Sequence, residues 1–291
     1  MEAPNSPMPL LLTDEEYNVE LPALRAKGFR VLNRFVMDHT LSVCTYQPDA
    51  KKAVEHSIAK QYMLTHEEEL DVKPDGGSEI TLVNQRTFES TLPYAGKKIA
   101  VLNFANNHHV GGSPWSAGAQ EESLCRCSTL YPCINAYRDA FYEEHSRRYN
   151  RGELDAWGND DLIYTPDVVV LKTDESAPAM LPMKQWRKLD VITCAAPQFA
   201  PYDSIDEQRF MNVMTRRIER IVQVAKKEGV EVLVLGAFGC GAFCSPPELV
   251  AKIIRDLAGK YRFDTFLVAI YDHRDTRDSN YHVFAREFGV E

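Results

Sequence analysis

Asn103-Phe-Ala-Asn-Asn-His-His-Val-Gly-Gly-Ser-Pro-Trp-Ser-Ala-Gly-Ala-Gln-Glu-Glu122 joins an apolar run, Ile99 to Phe104, to a segment that opens on two adjacent acids. The apolar run reads as a buried strand. Gly111, Gly112 and Gly118 mark a polar turn, and Gln120, Glu121 and Glu122 begin a helix. Glycines let backbone N–H groups come close to a ligand. A helix N-terminus adds a positive partial charge. Two carboxylates there can orient a hydroxyl and handle a proton. A strand that empties through a Gly-rich loop into an acid-bearing helix is a layout for a site.

A second loop has the same placement. Leu235-Gly236-Ala237-Phe238-Gly239-Cys240-Gly241-Ala242-Phe243 follows the continuous apolar strand Val230 to Leu235 and precedes a helix opened by Pro246 and Pro247. Its glycines, interleaved with two aromatics, suit a diphosphate cradle with a stacking wall. It lacks Gly-Lys-Ser/Thr, which argues against P-loop ATP hydrolysis.

The remaining chain alternates between helix and strand. Residues 1 to about 20 are Pro-rich and acidic and read as a loose tail; the pattern to about Leu70 is helical, including Ala53 to His66. The turn cluster Lys73-Pro-Asp-Gly-Gly-Ser78 marks a boundary, dividing an N-terminal helical accessory segment (1–77) from a catalytic domain (78–291). Short strands are expected at Ile80 to Val83, Val168 to Leu171, Leu189 to Ala195 and Phe266 to Tyr271. Thr87 to Leu92 suits a helix. The helix from Gln120 runs to about Tyr131, where Pro132 interrupts it, and Ala136 to Tyr149 continues helically. Arg151 to Thr165 reads as a polar loop. Phe210, Val213, Met214, Ile218, Ile221, Val222 and Ala225 recur at helical spacing within Asp206 to Glu228, and Asn280 to Phe288 is the last helix. This alternation implies an α/β/α sandwich with a mixed, largely parallel sheet. Ligands bind such sheets beyond the carboxyl ends of strands, where both Gly-rich loops lie.

The composition is that of a globular protein, 44% hydrophobic and 26% charged over 291 residues. A net charge of −9 argues against general nucleic-acid or anionic-membrane binding. Seven cysteines, with no signal-peptide pattern and no long apolar run, fit free thiols in a reducing cytoplasm. Cys125, Cys127 and Cys133 near His108 and His109 invite a zinc reading, but the spacing is not CxxC. Buried thiols fit better, and no metal or cofactor is expected. Arg147-Arg148 and Arg216-Arg217 read as exposed faces, and Asp272 to Asp275 as a solvated strand exit.

The two loops together resemble the macrodomain superfamily, and within it the microbial-type poly(ADP-ribose) glycohydrolases. That family's signature is a Gly-Gly-Gly run followed by Gln-Glu-Glu; Gly111-Gly112 and Gln120-Glu121-Glu122 stand in those places. Ser123 to Tyr131 and Leu235 to Phe243 also look like the bacterial members. The resemblance implies a macrodomain-like fold over roughly residues 78 to 289 and a glycosidase acting on ribose–ribose bonds of poly(ADP-ribose). It implies Glu122 as general acid and then base, Glu121 on a ribose hydroxyl, and Gln120 positioning the pair. Gly236 to Phe243 would wrap the diphosphate. Asn106 or Asn107 would meet the distal ribose, and Phe243 or Tyr271 the adenine. The partner would be ADP-ribose or its polymer on modified proteins, and the protein a monomer. A mono-ADP-ribosyl hydrolase and a non-catalytic ADP-ribose reader are the alternatives. The chain departs from the family at Val110, in place of the first glycine, and at His108, His109, Trp115 and Gln198.

Overall fold

The computed structural model describes residues 12–201, 203–273 and 276–290. Seven strands form one sheet: β1 (Tyr62–Leu64), β2 (Ile80–Val83), β3 (Ile99–Phe104), β4 (Leu162–Val170), β5 (Arg187–Cys194), β6 (Val232–Leu235) and β7 (Thr265–Ala269). Their order is β1-β4-β5-β3-β6-β7-β2. The run from β5 through β2 is parallel, and β4 and β1 add an antiparallel edge. The apolar strands follow from burial on both faces. In β3, Ile99 and Val101 pack on one layer and Ala100 and Leu102 on the other.

The first of these layers holds α4 (Gln120–Cys127), α5 (Leu130–Asn135), a π-helical turn (Arg138–Glu143) and α6 (Glu144–Asn150). The second holds α7 (Glu207–Lys227), α8 (Pro247–Ala258) and α9 (Asn280–Phe288). Behind α4 and α5 lie α1 (Asp14–Ala26), α2 (Phe29–Tyr46) and α3 (Pro48–Lys60), whose Tyr17, Val36, Val43 and Val54 share a core with Cys133, Val169 and Leu171. None of the described helices is long and apolar enough to cross a membrane.

Several expectations need correction. The loose tail lies outside the described residues through Leu11, but from Asp14 it is helix. Thr13 and Glu16 form a reciprocal capping box that starts α1. The helix expected to reach His66 stops at Lys60, and Tyr62–Leu64 pairs with β4, so the sheet takes a strand from ahead of residue 78. Thr87 to Leu92 yields only a 3₁₀ turn, Glu89–Tyr94. The first long helix breaks at Ser128, not at Pro132. Ser128 bridges to Val170, and Pro132 is tolerated in the first turn of α5. The polar loop ends early because β4 begins at Leu162.

The second arginine pair is surface in one member only: Arg216 is exposed, as expected, but Arg217 is not. Arg217 is 1% exposed. Its Nε donates to Asp160 at 2.9 Å, and its other nitrogens donate to the carbonyls of Ala195 and Trp157. Arg216 also pairs with Asp160, and Arg220 donates to the carbonyls of Thr65, Glu68 and Asp160. Helix α7 thereby pins the 155–161 segment. Arg217 and Arg220 are buried among apolar residues on the inner face of α7. Removing one partner of a buried pair costs about 3–5 kcal/mol. Asp160→Asn is expected to lower stability by that order in urea unfolding, whereas Asp264→Asn, in an exposed pair with Lys97, should leave the urea midpoint nearly unchanged.

Candidate active site

The loops after β3, β6 and β7 enclose a cavity of 440 Å³ at the carboxyl ends of the parallel strands. Asn106, Gly112, Gln120, Glu121 and Glu122 line it from the first loop. Ala237, Phe238, Gly239, Gly241, Ala242 and Phe243 line it from the second, and Tyr271 from the end of β7. The other expected residues lie elsewhere. Asn107 faces a neighbouring cavity. Gly111 is backed by Cys125 and Tyr131, and Gly236 by Phe104 and the Ala269 carbonyl. Cys240 turns inward, accepting at its carbonyl from Asn280.

The acid pair is set by its own neighbours. Gln120 is tied to β3: its Oε1 accepts from Phe104 N at 3.0 Å, and its Nε2 donates to the Leu102 carbonyl at 2.7 Å and to Thr87 Oγ1 at 3.1 Å. Glu121 accepts from the Asn106 amide at 2.8 Å and from Asn103 Nδ2 at 3.2 Å. Burial pushes the Glu121 carboxyl well above the usual range; the Asn106 N–H opposes this and the Glu122 charge adds to it. Glu122 Oε1 accepts from Ser113 N at 3.1 Å. Its Oε2 is buried without a hydrogen-bond partner among the described residues, and the residue is 7% exposed.

Gly112 explains how that carboxylate gets its place. Its φ is +66°, and any Cβ there would collide with the Glu122 carboxylate. Gly239 plays the same part in the second loop, with φ +78° and Ala196 and Ser245 against it. Within that loop, internal bonds take the N–H groups of Phe238, Cys240, Cys244 and Ser245. Those of Gly241, Ala242 and Phe243 are in no hydrogen bond among the described residues. Three amides in a turn beside a cavity suit an anion.

The N-terminal helices reach this loop. Trp115 Nε1 donates to Asp38 at 2.8 Å, and Asn33 donates to the Ala117 carbonyl at 2.9 Å. Arg126 of α4 donates to the carbonyls of Pro114 and Ala117. Trp115, bulky within a glycine loop, is an anchor edge-on to Tyr131.

Sequence reading missed Arg86, Thr87, Asp174 and Asn280, which also line the cavity. The Arg86 guanidinium lies 4.1 Å from the Tyr271 ring centre. Asp174 accepts from Phe88 N and Ser123 Oγ, and burial raises its carboxyl. No local pattern marks these residues, because they arrive from other strands.

All seven cysteines are free, and burial pushes the Cys127 thiol up to about 12. Among the described residues no cluster of His, Cys, Asp and Glu could hold a metal ion.

Residues 41–173 match a family model described as the catalytic domain of microbial-type PARG, poly(ADP-ribose) glycohydrolase. The fold is similar to PARG from Thermomonospora curvata, with 26% identity and a TM-score of 0.75 over 88% of this chain and 98% of that one. It is also similar to PARG from Deinococcus radiodurans in complex with ADP-ribose, with 27% identity and a TM-score of 0.70 over 81% and 97%. No curated protein matches the sequence. The family model spans the Gly-Gly turn and the acid pair, and the likeness to the solved PARG structures extends to the second loop and beyond.

Proposed function

We propose that the chain is a glycohydrolase that cuts the ribose–ribose O-glycosidic bonds of poly(ADP-ribose) and releases ADP-ribose. The observation that carries this reading is the Glu122 carboxylate, with one oxygen held by Ser113 N–H and the other buried and unpartnered at the cavity. A binding module has no use for a buried, unpaired carboxylate oxygen, which costs free energy unless something arrives to use it. The ADP-ribose bound by the Deinococcus relative supports the choice of substrate.

In this mechanism the diphosphate sits on the free amides of Gly241, Ala242 and Phe243. Glu121, whose carboxyl burial raises, bonds a hydroxyl of the distal ribose. Glu122 protonates the departing oxygen as the anomeric carbon gains oxocarbenium character. The resulting carboxylate then takes a proton from the water that attacks that carbon. Glycosidases with two working carboxyls place them across the bond. Adjacent residues on α4 cannot do so, so one acid serves both steps, and water enters from the side the leaving group vacates. Seven free thiols support a reducing, cytoplasmic setting.

Loss of one general acid–base group costs about 10²–10⁴-fold. Glu122→Gln is expected to lose that much in kcat on purified poly(ADP-ribose) while still binding ADP-ribose in calorimetry. Full turnover in this variant would remove Glu122 from the chemistry.

The raised Glu121 carboxyl has a separate consequence for stability. Such a group contributes stability that is fully present below its unfolded value of about 4.3 and lost as pH rises through the folded value. Glu121→Gln abolishes this titration. Its melting temperature relative to wild type should therefore improve as pH rises above about 4, and a constant offset would contradict the raised carboxyl.

A further inference from the structure

A second cavity, of 540 Å³, adjoins the first and shares Ala196 and Phe243 with it. We infer that this second cavity receives the adenosine of the departing polymer unit. The inference rests on the proposed glycohydrolase function. The bond cut in poly(ADP-ribose) links the distal ribose to the 2′-oxygen of another adenosine, so the leaving group nearest the broken bond is a nucleoside.

The position fits. The Asn106 amide holds Glu121 in the first cavity, while Asn106 Oδ1 accepts from the N–H groups of His108 and His109 at 2.7 and 2.9 Å. That tight turn delivers the next side chains, Asn107 and His108, into the second cavity. The two sites are therefore one residue apart on the same rigid turn.

The lining fits a neutral nucleoside. Tyr149 and His108 meet edge to face with ring centres 5.4 Å apart, and Phe199 and Phe243 add further aromatic wall. Asn107 and Gln198 supply amides able to read ring nitrogens and hydroxyls. His145 also lines the cavity at 1% exposure. Its Nε2 bonds Asp161 at 3.0 Å, and its Nδ1 is buried without a partner among the described residues. With Nε2 donating to the carboxylate, Nδ1 offers a lone pair, which the amino group or a ribose hydroxyl of an adenosine can fill. The acids at the rim do not call for a cation. Asp155 pairs with Arg209 at 2.8 Å, and Asp203 accepts from Ala200 N at 2.7 Å. Among the described residues no Lys or Arg lines the cavity, so it has no fixed positive charge to prefer a phosphate over a base. The far wall is preformed, because Arg217 clamps the Trp157 and Asp160 segment beside it.

The test uses Ala200, an exposed residue on the rim. Ala200→Trp plugs the second cavity and leaves the first untouched; Tyr149→Ala removes an aromatic wall. Wild type and both variants are assayed on poly(ADP-ribose), on ADP-ribose carrying a small aryl group at the same anomeric carbon, and on a mono-ADP-ribosylated peptide. Both variants should lose about tenfold or more in kcat/KM on polymer and stay within about twofold on the aryl substrate. In saturation-transfer NMR on wild type saturated with ADP-ribose, added adenosine should give a signal that Ala200→Trp abolishes. Equal losses on all substrates, no loss on polymer, or a loss confined to the peptide would overturn the inference. Absence of adenosine binding would do so too. Failure of wild type to cleave polymer while adenosine still binds would instead count against the glycohydrolase reading.

Discussion

The hydrogen bonds that close the end of β3 onto the start of α4 hold the site together. Fifteen residues of loop separate Phe104 from Gln120, yet Gln120 bonds the backbone of Leu102 and Phe104 and Glu121 bonds the Asn106 amide. The loop is thus pinned at its root, and its glycines have only to shape the turn. Gln120 spends its amide on the backbone of β3 and on Thr87, which fixes the start of α4 at the cavity. Glu121 is buried by the same closure, which raises its carboxyl. Glu122, one residue further on, projects into the cavity past Gly112, where any side chain would take its space.

The second constraint comes from behind. Helix α2 holds the outer half of the first loop through Asp38 and Asn33, and Arg126 holds it from within α4. The accessory helices are therefore part of the scaffold that fixes the acids. Lys172, buried where these helices meet the sheet, donates to the Val36 carbonyl and to Thr40. Burial pushes its ammonium down to about 7, so the junction tolerates a neutral amine.

Much of this was legible in the sequence. Continuous apolar strands such as Val232–Leu235 and the 3.6-residue period of α7 announce the sandwich, and two Gly-rich loops at strand exits announce the site. Most of the residues expected from those loops line the cavity, whereas Asn107, Gly111, Gly236 and Cys240 do not. What escaped was carried by distant contacts. Arg86 and Asp174 come from the exits of other strands, with no motif around them. Arg217 looks like one more charge on a helix until Asp160 folds against it. The edge strand Tyr62–Leu64 is too short to show a period and exists because β4 is there to pair with it. His145 reads as one histidine on a helix, and only the cavity gives its free nitrogen a meaning.

The most direct measurement is a crystal structure of Glu122→Gln bound to a two-unit poly(ADP-ribose) fragment. The account places the side chain of residue 122 within about 2.6–3.2 Å of the glycosidic oxygen, with the diphosphate on Gly241 to Phe243. A glycosidic oxygen outside hydrogen-bond reach of residue 122, or closer to Asp174 than to the acid pair, would contradict it.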